Sequence, residues 1–105
     1  MNFIISGLSM NMFLDKNFDL QVNEIGEEEF MALAENGVSY IGQKDIADIL
    51  GFAHNREQIQ VRIGDNLLLA QTYRKGVLRF YCIRIVEPLA PIYTEEEVYL
   101  HEEMI

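Results

Sequence analysis

Cysteine, histidine and proline are scarce in this chain. It holds one cysteine, two histidines and two prolines among 105 residues. One cysteine excludes a disulfide framework, and Cys82 sits inside an apolar run, so it reads as a buried, reduced thiol of a cytoplasmic protein. Two histidines and one cysteine do not make a usual zinc ligand set, and neither HExxH nor CxxC occurs. GxGxxG and GxxxxGK[ST] are absent too, which removes the common nucleotide-cofactor signatures. No metal and no cofactor is expected. No apolar run approaches ~20 residues, so no segment is expected to span a membrane. The apolar opening MNFIISGLSM lacks a basic flank and is not read as a signal peptide. Basic residues are outnumbered by acids, 8 to 17, for a net charge of −9. Such a chain is repelled by a polyanion, which argues against binding duplex nucleic acid.

What is present fits one modest α/β domain, since half of the residues are hydrophobic. The expected organisation is a domain over residues 1–88 followed by an acidic tail over 89–105. Most of the basic residues fall between Arg56 and Arg84, so a local positive pocket is compatible with the acidic total. Asn2–Ile5 reads as a strand, and Ser9 as the cap of a short helical turn through Met10–Leu14. Phe18–Ile25 alternates, with Phe18, Leu20 and Val22 inward. Glu27–Glu35 reads as a helix whose early acids suit its dipole and whose inner face is Phe30, Leu33 and Ala34. Gln58–Ile63, Asn66–Tyr73 and Val77–Val86 read as three strands of an antiparallel meander. Beyond Pro88 and Pro91, Thr94–Ile105 is read as a short helix capped by Thr94 or as a frayed end.

The chain is organised around Val38–Gly51, VSYIGQKDIADILG. Val38–Ile41 is a short strand, Gly42 a turn, and Lys44–Leu50 a helix with Ile46, Ile49 and Leu50 at helical spacing. Such a turn aims backbone N–H groups at the sheet edge, where an anion can sit. Gln43 is the first side chain at that place. Ser6, Ser9 and Asn11 close the first strand, and Gln71 and Arg74 end a later one, with Lys75 next. If the first and middle strands are neighbours, these groups converge at one end of the sheet as a phosphate site. The ordinary alternative is that the serines and asparagine are caps and Arg74-Lys75-Gly76 a solvated turn. His54, in the loop AHNRE beside Arg56, is either a proton carrier or a solvated loop residue. Asp45 and Asp48 read as the wet face of a helix.

The order of these pieces resembles the small viral ring nucleases that act as type III anti-CRISPR proteins, found in archaeal viruses, phages and integrated elements. Phe3–Met12, FIISGLSMNM, looks like that family's opening strand and Ser-x-Asn-Met turn. Tyr40–Gln43, YIGQ, matches its apolar-Ile-Gly-His. Asn55-Arg56, then Ile59-Gln60-Val61, Gly64-Asp65 and Leu67–Gln71, matches its NR…V…GD…Q pattern. Arg79-Phe80-Tyr81 looks like its closing strand. The resemblance implies a homodimer whose two-fold axis runs through a pocket for cyclic tetra-adenylate, cut without metal by a 2′-hydroxyl, with a histidine as general acid. It further implies that Ser6, Ser9, Gln71 and Arg74 contact ligand and that Gln43 stands in the acid's place.

Two departures matter. Gln43 donates a hydrogen bond but cannot deliver a proton. The family's longer segment after its arginine, with a glutamate, has no counterpart, because Lys75-Gly76 runs straight into Val77. The expectation is therefore a protein that binds a cyclic oligonucleotide signal as a sponge or a very slow nuclease, with Gln43 incompetent as a catalyst. The alternatives are an active ring nuclease with another acid, and a dimeric adaptor that uses its acidic tail. The expected architecture is a mixed, mainly antiparallel sheet of about five strands with two to three helices packed on it. Met10, Met12, Phe13 and Leu14 are the expected dimer contacts.

Overall fold

Continuous apolar runs in the central strands, such as Phe3–Ile5 and Leu67–Ala70, mean that the sheet is covered on both faces. The computed structural model describes residues 1–74 and 76–89. Lys75 and the stretch 90–105, with its expected Thr94-capped helix, lie outside them. The strands are β1 (Asn2–Ile5), β2 (Asp19–Ile25), β3 (Val38–Tyr40), β4 (Asn66–Arg74) and β5 (Val77–Val86); the helices are α1 (Glu27–Ala34) and α2 (Lys44–Leu50). They form a single α/β domain with one mixed five-stranded sheet in the order β2-β5-β4-β1-β3. β1 is parallel to both β3 and β4, while β5 is antiparallel to β4 and β2.

One face of the sheet packs Ile4, Leu68, Ala70 and Phe80 against Phe30 and Ala34 of α1 and Ile46, Ala47 and Leu50 of α2. Phe30 is fully buried, with its ring centre 4.7 Å from that of Phe80. The opposite face packs Ile5, Leu67, Leu69, Ile83 and Ile85 against Met12, Ile59 and Val61. Successive residues of β1 and β4 thus serve opposite cores, as a period of two requires. Among the described residues no α-helix covers the second face. The chain there is extended and anchored by a few hydrogen bonds: Val61 N–H donates to Met12 C=O at 2.8 Å, Leu14 N–H to Val61 C=O at 3.0 Å, and Ile63 N–H to Asp15 Oδ2 at 2.8 Å.

That covering is where the structure departs from the sequence reading. Gln58–Ile63 is not a strand of the sheet. Its apolar residues point inward as expected, but its backbone meets the 12–14 segment through a bridge between Phe13 and Val61. The meander is therefore a β4–β5 hairpin, with β2 as the third antiparallel member. Ile49 does not face the core; it is 69% exposed, and Ala47 fills the buried position with Ile46 and Leu50. Val22, expected inward, is 56% exposed and joins neither packed cluster, although the flanking Leu20 and Ile25 pack at the margins of the two cores. The turn after Ser9 is a single 3-10 turn at Met10–Met12, with Asn11 N–H donating to Ser9 Oγ at 3.4 Å. Gly51 ends α2 in the left-handed region at φ 77°, a conformation that glycine adopts without a Cβ clash.

Candidate functional site

Because β1, β3 and β4 run parallel, their carboxyl ends lie at the same sheet edge. Loops leaving neighbouring parallel strands enclose a crevice there. β1 stops at Ile5 and hands on to Ser6; β3 stops at Tyr40 and hands on to Ile41, Gly42 and Gln43. The loop that follows α2 returns to wrap the outer edge of β3. Asn55 fixes it: its N–H donates to Ile41 C=O at 3.0 Å, its Nδ2 to Ser39 C=O at 3.3 Å, and its Oδ1 accepts Glu57 N–H at 2.9 Å. Ser39 Oγ adds a 2.6 Å bond to Ala53 C=O. This clamp places Arg56 at the edge of the sheet.

Two adjoining cavities result. The first, of about 350 Å³, is lined by Ile5, Ser6, Gly7, Ser9, Met12, Tyr40, Gly42, Gln43 and residues 55–59. Its buried side is largely apolar, through Ile5, Met12 and Ile59, and its exposed side carries a hydroxyl, amides, the Arg56 guanidinium and the Glu57 carboxylate. The second, of about 590 Å³, is lined by Gly42, Gln43, Lys44, Asp45, His54, Arg56 and Thr72. Gly42, Gln43 and Arg56 belong to both. Among the described residues, Arg56 forms no ion pair, whereas Lys44 Nζ is held by Asp48 at 2.7 Å. That bond stabilises the lysine's charged form and raises its pKa. His54 Nε2 lies 3.1 Å from Gly42 C=O. Gln43 caps α2 through its backbone, with no capping bond from its side chain. At seven residues α2 is a short helix, so the anion affinity of its first turn is secondary to the side chains around it.

Of the groups expected to converge, Ser6, Ser9 and Gln43 line one cavity. Ser6 is the buried polar residue at its inner end, 9% exposed. Asn11 is exposed on the 3-10 turn and lines neither cavity. Gln71 and Arg74 lie on the end of β4 that runs past its pairing with β1, where β4 and β5 continue as a ribbon. They are exposed and line neither cavity, although Thr72 between them lines the second. On this ribbon Arg79 lies over the Tyr73 ring at 3.6 Å from its centre, with Arg74 at 5.3 Å. From the sequence Asn55-Arg56 entered only as part of a matched pattern, His54 as a proton carrier or a solvated loop residue, and Lys44 only as the start of a helix; none was among the expected ligand contacts. The clue was the polar run AHNRE so close after Gly51. Among the described residues no group of three or more His, Cys, Asp or Glu side chains is placed to hold a metal, and no helix is long and apolar enough to cross a membrane.

The molecule is thus a small α/β protein with a polar double cavity at the carboxyl edge of its parallel strands. No family model matches it, nor does any curated protein. Among solved structures its fold is similar to that of B116 of Sulfolobus turreted icosahedral virus (STIV), with a TM-score of 0.62 and 17% sequence identity over 79% of this chain and 97% of that chain. At this identity the similarity establishes the fold.

Proposed function

We propose that this chain is an anti-defence protein of a virus or mobile element, working in the host cytoplasm. It binds a cyclic oligonucleotide second messenger of the cyclic oligoadenylate class. It acts as a sponge, or as a very slow metal-independent ring nuclease. The observation that carries this reading is the cavity pair joined by Arg56, with Ser6, Ser9 and Gln43 on its wall. An apolar floor suits a base, and a guanidinium with no ion pair among the described residues, beside hydroxyls, suits a phosphate. The sequence resemblance to ring nucleases and the fold shared with a protein of an archaeal virus point the same way. Gln43 at the acid's place supports retention over rapid cutting, since an amide has no proton to give.

The reading includes a homodimer, because a cyclic ligand with repeated units suits a two-fold pocket. Leu8, Met10 and Leu14 are exposed on the loop that borders the first cavity, and a second copy would cover them. Met12 and Phe13 are not available for this: Met12 is in the core, and Phe13 stacks on Phe18 at 4.5 Å.

The test is calorimetric titration with a panel of cyclic di-, tri-, tetra- and hexanucleotides, with chromatography of the products. Binding of a cyclic oligoadenylate with slow or no cutting is expected. Failure to bind any member rejects the reading, and rapid cutting rejects the sponge.

A further inference from the structure

We propose that the outer edge of β2 is a docking site for an extended, basic segment of a partner protein, which adds a strand to the sheet. The site does not depend on the ligand proposed above. β2 ends the sheet, and its seven residues pair with β5 in one unbroken register. Among the described residues no backbone pairing is found on its other side. That side therefore presents a row of backbone N–H and C=O groups that a further strand can bond. Edges of this kind are commonly blunted by a lysine, a proline or a bulge, and β2 has none of the three. The other edge of the sheet is closed: β3 has three residues and is held to the 53–55 segment. The β2 surface is an edge left open for want of a next strand, not a crevice between diverging loops.

Side chains decide what fits. Leu20, Val22 and Glu24 share one face of β2, and Asp19, Gln21, Asn23 and Ile25 the other. The two carboxylates stand near the ends, one on each face, with the exposed Val22 between them. At the Asp19 end lies a cavity of about 480 Å³ lined by Asp19, Leu20, Gln21, Val86, Glu87 and Leu89. Its carboxylates, Asp19 and Glu87, form no ion pair among the described residues. A lysine or arginine fills such a place with its alkyl stem along the apolar wall and its charge at the carboxylates. At the other end Glu24 lies 3.8 Å from Arg79, a loose and exposed pair. Arg84, opposite Gln21, is the basic neighbour on the Asp19 face. No Lys or Arg occurs between residues 17 and 43, and α1 opens on Glu27, Glu28 and Glu29. Charge disfavours the occupants that this chain could itself supply. The β2 of a second copy brings the same carboxylates, and the stretch 90–105 carries five Glu and no Lys or Arg. The occupant that fits alternates apolar with polar residues and carries Lys or Arg opposite Asp19 and Glu24. Carboxylates that served only to keep strands away would reject acidic and basic strands alike, and this separates the two roles.

The experiment uses the full chain and two synthetic peptides with blocked ends. The first, VKTVTVK, sets its lysines opposite Glu24 and Asp19 when it runs antiparallel to β2. The second, VETVTVE, has glutamates in their place. Hydrogen exchange resolved by NMR reads each β2 amide. In the chain alone, the outward amides of β2 exchange fast and those bonded to β5 are protected. At ten times its dissociation constant the lysine peptide slows the outward amides about tenfold, and the glutamate peptide leaves them unchanged. Asp19→Lys combined with Glu24→Lys reverses the preference between the peptides. Outward amides already protected in the chain alone overturn the proposal: protection lost on dilution identifies a second copy as the cover, and protection kept identifies residues 90–105. No slowing by the lysine peptide, equal slowing by both, or slowing confined to the two cavities overturns it as well. Absence of nucleotide binding leaves this site standing.

Discussion

On one side of β4 the sheet is parallel, and on the other it is antiparallel. The β3-β1-β4 half brings two neighbouring strand ends to one edge, followed by loops that diverge and leave a double cavity between them. In the antiparallel half, β4 and β5 join directly in a ribbon. β2 also ends at that edge but passes through Gly26 alone into α1. The outer strands differ likewise. β3 has only three residues, yet its free edge is bonded to the 53–55 segment, and this bonding builds the wall of the site. β2 has seven residues, is mostly exposed and carries Asp19 and Glu24, and no strand pairs with its outer edge among the described residues. Binding surfaces form where parallel connectivity forces chains apart, while antiparallel connectivity lets them close.

The largest effect should come from the site half. If Gln43 is the missing element, Gln43→His should raise cutting of cyclic tetra-adenylate by ~10²–10⁴-fold, read by single-turnover chromatography; no gain would mean that the cavity is not organised for cutting. Next is stability. Phe30→Ala, under the core shared by both halves, should lower unfolding free energy by ~3–5 kcal/mol in urea titrations. Val22→Ala on exposed β2 should change it by no more than about 0.5 kcal/mol. Equal effects would show that β2 is covered in solution.

Smaller is the contrast between arginines. Arg56→Ala should weaken nucleotide binding by ~10- to 100-fold, the scale of one charge-assisted hydrogen bond. Arg74→Ala, on the ribbon outside both cavities, should weaken it less. The reverse order would place the phosphate on the ribbon. The smallest is Gly51→Ala, which forces a Cβ into the left-handed region and should cost roughly 1–2 kcal/mol of stability with no change in binding by the folded fraction. Cys82, whose pKa is raised chiefly by burial, should react slowly with alkylating reagents near neutral pH.

Local signals were legible where chemistry and period agreed. The helix Lys44–Leu50 and its Gly51 stop were readable from spacing and from glycine's conformational freedom. β1 and β4 were readable from short β-rich apolar runs, and β5 from residues alternating between its two sides. The order of strands was not, because a period of two states that a segment is extended, not which segment it pairs with. Gln58–Ile63 shows this best: Ile59 and Val61 are buried as their pattern requires, but the segment pairs with the 12–14 turn instead of the sheet. Ile49 shows the converse, since a seven-residue helix lying on a sheet buries a narrow stripe and leaves one flank wet. Within the site, Ser6, Ser9 and Gln43 were readable as residues following strands. Asn55 and Arg56 were not, because their place depends on how far the returning loop wraps β3.

By itself the sequence determined the α/β class, most of the residues that turn inward and the presence at position 43 of an amide, which cannot deliver a proton, because these follow from side-chain chemistry and local period. Tertiary structure alone decided that Arg56 and His54 share a cavity with Gln43 while Arg74 stays outside. That outcome depends on parallel pairing and on the backbone bonds of Asn55, contacts between residues far apart in the chain that no local pattern encodes.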